Sequence, residues 1–256
     1  KRIAFWQVDA EGTKDFMMMD NISDIYSKPI PVEYPKVGES PSAVRIGVVD
    51  LVSTQVKFMN IPGDMRQHYL PRMEWADNQQ LIVQQLNRKQ NQSTLHMANV
   101  MNGSSYPIYK EIDDAWIDIL PSVDDDYSYG GWDWLNGGKS FLWMSEKDGW
   151  RHLYNITRNG KDEVLITKGN FDVIEIAAVK EKEGYVYYYA SPDNATQKYL
   201  FRSKLNGDGA PERLTPMDQP GTHSYEISPN ADLAYHSFSS HKVPLVTETI
   251  QLSHHK

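Results

Sequence analysis

Apolar residues in this chain come in short runs rather than at helical spacing. The runs are β-branched and aromatic, and Gly, Asn, Asp and Pro bound them, which predicts strands joined by tight turns. "GYVYYYAS" (Gly184 to Ser191), "KYLFRSKL" (Lys198 to Leu205) and "SFLWMS" (Ser140 to Ser145) are the clearest strands. "EKDG" (Glu146 to Gly149) and "NGDG" (Asn206 to Gly209) are the clearest turns, because glycine accepts the positive φ that tight hairpins need. "DNQQLIVQQLNRKQ" (Asp77 to Gln90) tempts as a helix, but its apolar residues fall only at 81, 82, 83 and 86. A strand over Leu81 to Leu86 followed by a polar hairpin fits better.

The pattern recurs as a unit of polar turn, apolar strand, hairpin, second strand and short outer strand. "KRIAFWQVD", "NQQLIVQQL", "GKSFLWMSE", "GYVYYYASP" and "ADLAYHSFS" align on Ile3, Leu81, Phe141, Val186 and Leu233, spaced by 78, 60, 45 and 47 residues. The last two spacings match the roughly 40–50 residues of a β-propeller blade, and the longer two imply insertions. A four-stranded unit cannot bury both faces alone, so such units stack on their neighbours. The fold expected is all-β, a partial β-propeller of about four to five four-stranded blades. A β-sandwich of short strands is the rival reading.

The largest insertion, Asn21 to Leu51, carries four prolines between Pro29 and Pro41 ahead of a strand at Val44 to Leu51. Proline blocks sheet pairing, so its first part, about 21–38, is expected to project as an extended arm or edge loop. A solvated loop is the plain reading. The Met17–Met19 run just before it favours a contact surface, since three apolar side chains there want a cover.

Composition narrows the function. The 256 residues suffice for one large domain or two small ones. Lys and Arg number 26 against 34 Asp and Glu, a net charge of −8, which argues against nucleic acid or an anionic membrane as the main partner. There are no cysteines, which excludes disulfides, thiolate metal sites and cysteine nucleophiles. No segment approaches the roughly 18 apolar residues of a membrane helix, and nothing reads as a signal peptide. The chain opens inside what reads as a strand, "KRIAFW", and is read as part of something longer.

Candidate chemistry is sparse. Ser128 in "DDDYSYGGWDW" looks like a hydrolase nucleophile. The nucleophile elbow needs glycine two residues before the serine, with a strand before and a helix after. Here Asp126 holds that place, and "YGGWDWLNGGKSFLW" offers a strand and a turn, so Ser128 reads as a look-alike. His236 with His241, or His254 with His255, offer imidazoles but no recognised ligand spacing, so no metal site is expected. The run Asp124 to Asp126 lacks the glycine and distal Glu of a Ca²⁺ loop. His152 in "GWRHLY" sits in a hairpin strand, where packing is the expected role. Asn21, Asn91, Asn102, Asn155 and Asn194 begin Asn-x-Ser/Thr sequons, which predict glycans only in a eukaryotic secretory pathway.

Several stretches together resemble the dipeptidyl peptidase IV family of serine exopeptidases. "VEYPKVGESPSAVRIGVVDL" is similar to that family's Tyr-Pro-Lys-x-Gly arm and the strand after it. "MEWADNQQLIVQQLNRKQNQSTLHMAN" resembles its Trp-containing blade, and "FLWMSEKDGWRHLYNI" its Ser-Glu-x-Asp-Gly-aromatic-x-His-Leu-Tyr hairpin. "LITKGNFDV" and "HSYEISPNADLAYHSFSS" match the blades that follow. The resemblance runs through essentially the whole chain in order.

It implies an eight-bladed propeller that gates a C-terminal α/β-hydrolase domain, in a periplasmic or secreted enzyme that removes X-Pro or X-Ala dipeptides. That catalytic domain is expected to lie outside this chain, so no catalytic residue is assigned. The family's amine-gripping glutamate pair is placed just before the strand matched by "KRIAFW". At "AWIDILPS", Ile119 and Leu120 stand where some members have an aromatic-Arg pair, leaving Trp116 and Leu120 as candidate walls of the substrate vestibule. The arm is implied to pair two copies, with Tyr26, Tyr34 and Pro35 as anchors. No cofactor, metal or nucleic acid is implied. The partners are peptide substrates, a second copy and the hydrolase domain. A stand-alone propeller that binds peptides, proteins or glycans is the alternative.

Overall fold

Strands built on the runs described above dominate the computed structural model, which describes residues 1–119 and 132–256. They fall into two units, Lys1–Ile117 and Asp118–Lys256. The first holds β1 (Arg2–Asp9), β2 (Asp15–Asp20), β3 (Lys28–Glu33), β4 (Ala43–Asp50), β5 (Val56–Phe58), β6 (His68–Trp75), β7 (Gln80–Asn87), β8 (Gln92–Asn99) and β9 (Ser105–Ile112). The second holds β10 (Trp134–Leu135), β11 (Ser140–Ser145), β12 (His152–Thr157), β13 (Glu163–Leu165), β14 (Val173–Lys180) and β15 (Tyr185–Ala190). It continues with β16 (Tyr199–Lys204), β17 (Glu212–Arg213), β18 (Thr222–Ile227), β19 (Leu233–Ser240) and β20 (Val243–Gln251). One 3₁₀ turn, Glu181–Glu183, is the helical content among the described residues.

Five antiparallel sheets form the blades. Three have four strands, β6-β7-β8-β9, β10-β11-β12-β13 and β14-β15-β16-β17, and two have three, β1-β4-β5 and β18-β19-β20. Of the five aligned positions, Leu81, Phe141 and Val186 each fall on the second strand of a four-stranded sheet, Leu233 on the middle strand β19 of a three-stranded one, and Ile3 on the edge strand β1. The suspected helix at Asp77 to Gln90 is instead β7 and the turn into β8.

Cores form between consecutive sheets of one unit. In β15, Val186, Tyr188 and Ala190 pack into a cluster with Leu142, Leu153 and Phe171. Its alternate residues, Tyr187 and Tyr189, pack into a second cluster with Leu200, Ala234 and Ile250. Both faces of that strand are buried, so its sequence reads as a continuous apolar run with no alternation. In the first unit Ile46 and Val48 of β4 pack against Leu81 and Val83 of β7. Each such fully buried side chain contributes about 1.5–3 kcal/mol, against about 0–1 kcal/mol for an exposed ion pair such as Lys198–Glu175. Two of the core tyrosines are accommodated by partners for their hydroxyls. Tyr188 bonds Ser203 at 2.9 Å, and Tyr189 accepts the Tyr225 N–H at 2.8 Å.

Asn-Gly turns lock two of these stacks. Gly103, in the β8–β9 turn at φ 79°, lies so close to the strand end of the preceding sheet that a Cβ would sit 2.6 Å from the Phe58 carbonyl oxygen. Gly207, in the β16–β17 turn at φ 74°, meets the Leu165 carbonyl oxygen at the same 2.6 Å. The glycine carbonyls are used too: Asn60 N–H donates to Gly103 O at 2.7 Å, and Lys168 Nζ to Gly207 O at 2.6 Å.

The inserted arm departs from expectation in one respect. Proline was expected to keep it unpaired, yet Pro29 and Pro31 lie inside β3, which pairs with β2. The Tyr34 N–H donates to Lys14 O, which fixes the register of bonded pairs. Counting along the ribbon, the pairs Met17–Pro31 and Met19–Pro29 are then the non-bonded ones, so neither missing N–H is needed.

The turn contacts give a direct test. Gly103→Ala and Gly207→Ala each combine an unfavourable φ with a backbone collision, and should each cost on the order of 2 kcal/mol or more in denaturant unfolding. Gly149→Ala, at φ 96° with nothing within 4 Å, supplies the φ term alone and should cost less. Equal losses at all three would show that the close approach contributes nothing.

Candidate functional site

The arm is apolar on both sides. Phe16, Met18, Ile30 and Val32 share one face of the β2–β3 ribbon, and Met17, Met19, Pro29 and Pro31 the other. Every one of these residues is exposed except Val32. Met17 is 61% exposed, and Ile22, Ile25 and Tyr26 of the tip loop are 95%, 93% and 82% exposed. The Asp20 carboxylate shapes that loop by accepting the Ile22 and Ser23 N–H groups at 2.9 and 3.0 Å, bonds that lower its pKa below the usual value. Tyr26 is at the tip, whereas Tyr34 and half-buried Pro35 follow β3 at the base. Six strand residues separate them, about 20 Å, so the three anchor candidates do not form one patch. Tyr34 packs on Phe16 with ring centroids 6.3 Å apart, and Lys36 Nζ lies 4.9 Å from the same ring.

Trp116 is 71% exposed, in the segment after β9. Hydrogen bonds from Asp113 N–H to Asn91 O and from Ile117 N–H to Gln90 O tie that segment to the β7–β8 turn. Leu120, Ser128 and the run Asp124 to Asp126 lie outside the described residues.

The hairpin between β11 and β12 is a charged clasp. Arg151 pairs with Asp118 at 2.6 Å and Glu146 at 3.0 Å, and its N–H donates to Asp172 at 2.8 Å. His152 is buried, edge-on to Phe171, with Nδ1 2.8 Å from Asp148 Oδ2. Burial pushes the Asp148 carboxyl up, but bonds from His152, the Trp150 N–H and Tyr154 outweigh it and leave the pKa low. His152 is therefore a packed and bonded strand residue.

Two further histidine groups emerge that spacing along the chain does not show. In the first unit, Gln85 bridges His68 Nδ1 and His96 Nε2, each at 2.9 Å. In the second, His236 is brought to Glu248 and His255, and not to the His241 that sequence proximity suggested. His223, singled out by no motif, bonds His236 at 2.8 Å. Cross-strand register is what joins them, His223 opposite Phe238 and His236 opposite Glu248.

Comparison with known proteins follows from this architecture. Residues 1–245 match the family described as "Dipeptidyl peptidase IV (DPP IV) N-terminal region". The chain belongs to this family. It is 27% identical over 213 residues to a protein of Emericella nidulans named "Probable dipeptidyl peptidase 4", covering 78% of this chain and 27% of that protein. It is 24% identical over 218 residues to "Inactive dipeptidyl peptidase 10" of Mus musculus, covering 81% and 26%. The crystal structure of Porphyromonas gingivalis dipeptidyl peptidase 4 superposes with a TM-score of 0.84 at 24% identity, over 100% of this chain and 34% of that one, and shows the shared fold. The chain spans about a quarter of the length of these curated relatives. Its five sheets are propeller blades of the dipeptidyl peptidase IV N-terminal region.

Within this family fold, the His68–Gln85–His96 bridge carries a pH signature. Burial, and secondarily the neighbouring His68, lower the His96 pKa to about 4. The unfolded chain then takes the proton first, near the ordinary histidine value of about 6.5. The contribution of His96 to stability is complete above about 6.5 and is lost as pH falls toward 4. Between pH 7.5 and 5 that loss should be on the order of 2 kcal/mol in denaturant unfolding. His96→Gln should flatten the slope; an unchanged slope would contradict the assignment.

Proposed function

We propose that the chain is the non-catalytic propeller portion of a dipeptidyl peptidase IV-like serine exopeptidase, which gates and positions the N-termini of peptide substrates. The observation that carries this reading is the family match over 1–245 in a chain that spans about a quarter of its relatives. The whole protein would release X-Pro or X-Ala dipeptides in the periplasm or outside the cell. Trp116, exposed beyond β9, is the described residue left to wall the vestibule.

A binding propeller without chemistry is the second reading, favoured by the mouse relative whose name calls it inactive. Hydrolysis of Gly-Pro-p-nitroanilide by the full-length protein separates the two. Cleavage of the free-amine substrate, with little or none of its N-acetylated form, is expected. No cleavage of either would overturn the peptidase reading and leave the binding one.

The arm supplies the partner surface of the same reading. Two apolar faces held in solvent are stabilised by being covered, and a second copy of the chain supplies a matching arm. Light scattering should give twice the protomer mass for the protein and a shift toward monomer for Tyr26→Ala, Tyr34→Ala and Pro35→Ala combined. An unshifted mass would remove the arm from the interface.

A further inference from the structure

Three metal-binding side chains converge on the last sheet. His236 on β19 stands directly across from Glu248 on β20. The turn after β20 returns His255 to the same place, with its ring 4.5 Å from that of His236 at 73°. One donor atom from each of the three lies within 4.8 Å of the other two. His236 is buried at 1% exposure, while Glu248 is exposed and His255 half-buried, so the cluster opens to solvent.

The hydrogen bonds behind it decide which lone pairs face inward. His223 Nε2 lies 2.7 Å from the Gln219 carbonyl, which only accepts, so that nitrogen carries the hydrogen. In the neutral ring that leaves Nδ1 as the acceptor. That Nδ1 is 2.8 Å from His236 Nε2, which must therefore donate. A neutral His236 then aims a bare Nδ1 lone pair at Glu248 Oε1, 3.0 Å away. Two acceptors at that distance need a positive species between them. A proton serves two of the three groups; a divalent cation serves all three.

We propose that His236, Glu248 and His255 bind a divalent first-row transition ion, Zn²⁺ by donor chemistry, which ties the segment after β20 to the sheet. Two imidazoles and one carboxylate form a known three-ligand zinc set, with a fourth position left for solvent. Mg²⁺ and Ca²⁺ prefer all-oxygen sites and fit it poorly. The bond from His236 Nε2–H to His223 is the outer contact that fixes the tautomer and orientation of a metal-bound histidine. The Tyr225 hydroxyl, 2.8 Å from His255 Nε2, orients the third ligand. Tetrahedral Zn²⁺ with bonds near 2.0–2.1 Å sets its donors about 3.3 Å apart. The donor atoms, now within 4.8 Å of one another, draw in to that spacing when the ion binds.

The test is isothermal titration of the chelator-treated protein with zinc chloride. One saturable Zn²⁺ per chain is expected, weakened at least tenfold in Glu248→Gln and in His255→Gln. His241→Gln and His254→Gln, at exposed histidines outside the cluster, should bind as the parent does. Co²⁺ should give visible ligand-field bands that both ligand variants lose. Because Glu248 and His255 reach the surface, their variants should keep the parent's circular dichroism. Absence of saturable binding would overturn the site. So would binding unaffected by Glu248→Gln and His255→Gln, or binding lost with His254→Gln, which would mark an adventitious ion only.

Discussion

The blades of each unit depend on having apolar faces covered by an adjacent sheet. β15 shows the constraint most plainly: Val186, Tyr188 and Ala190 enter one core, Tyr187 and Tyr189 another. An isolated sheet of that sequence would expose aromatic area on both sides, losing about 1.5–3 kcal/mol for each large side chain left in water. Stacking removes the problem and creates a new one, because two sheets approach closely only if their turns leave room. Gly103 and Gly207 meet that demand at equivalent places, each so close to the preceding sheet that an added Cβ would sit 2.6 Å from a carbonyl oxygen. Packing of faces sets the stability, and the Asn-Gly turns set the spacing at which the faces meet.

The same logic separates the arm from the blades. Its ribbon has the apolar content of a core strand and none of the cover, with both faces of β2–β3 in solvent. Its two strand prolines fit because a ribbon alternates bonded and non-bonded pairs, and the residues at 29 and 31 both fall on the latter. A blade strand bonded on both edges would not accept them. The arm is thus built to be a single ribbon, with its apolar surface left outside the blade cores.

Much of this was readable from the residues. The strands at 140–145, 185–190 and 199–204 and their turns follow from β-branched and aromatic runs with glycine between them, and the repeat follows from aligning Leu81, Phe141 and Val186. The sequence carries a second repeat signal: Asn102-Gly103, Asn159-Gly160 and Asn206-Gly207 all lie between the third and fourth strands of four-stranded sheets, each glycine at positive φ. The paired prolines are not legible from residue type alone, because register decides whether a missing N–H is needed. The histidine cluster was invisible for the same reason. His223, His236, Glu248 and His255 are 13, 12 and 7 residues apart, a spacing that no helix or metal motif uses, and only the pairing of β18 with β19 and β19 with β20 assembles them.

We propose that the stacked blades present peptide N-termini to a dipeptidyl peptidase. A crystal structure of the full-length protein with a free-amine peptide bound tests it most directly. The expected result is the sheets of each unit side by side as consecutive blades, with the Gly103 and Gly207 turns seated on the neighbouring blade and the peptide's ammonium end facing the propeller. Sheets packed face to face as a two-layer sandwich, or a peptide seated away from the blades, would contradict it.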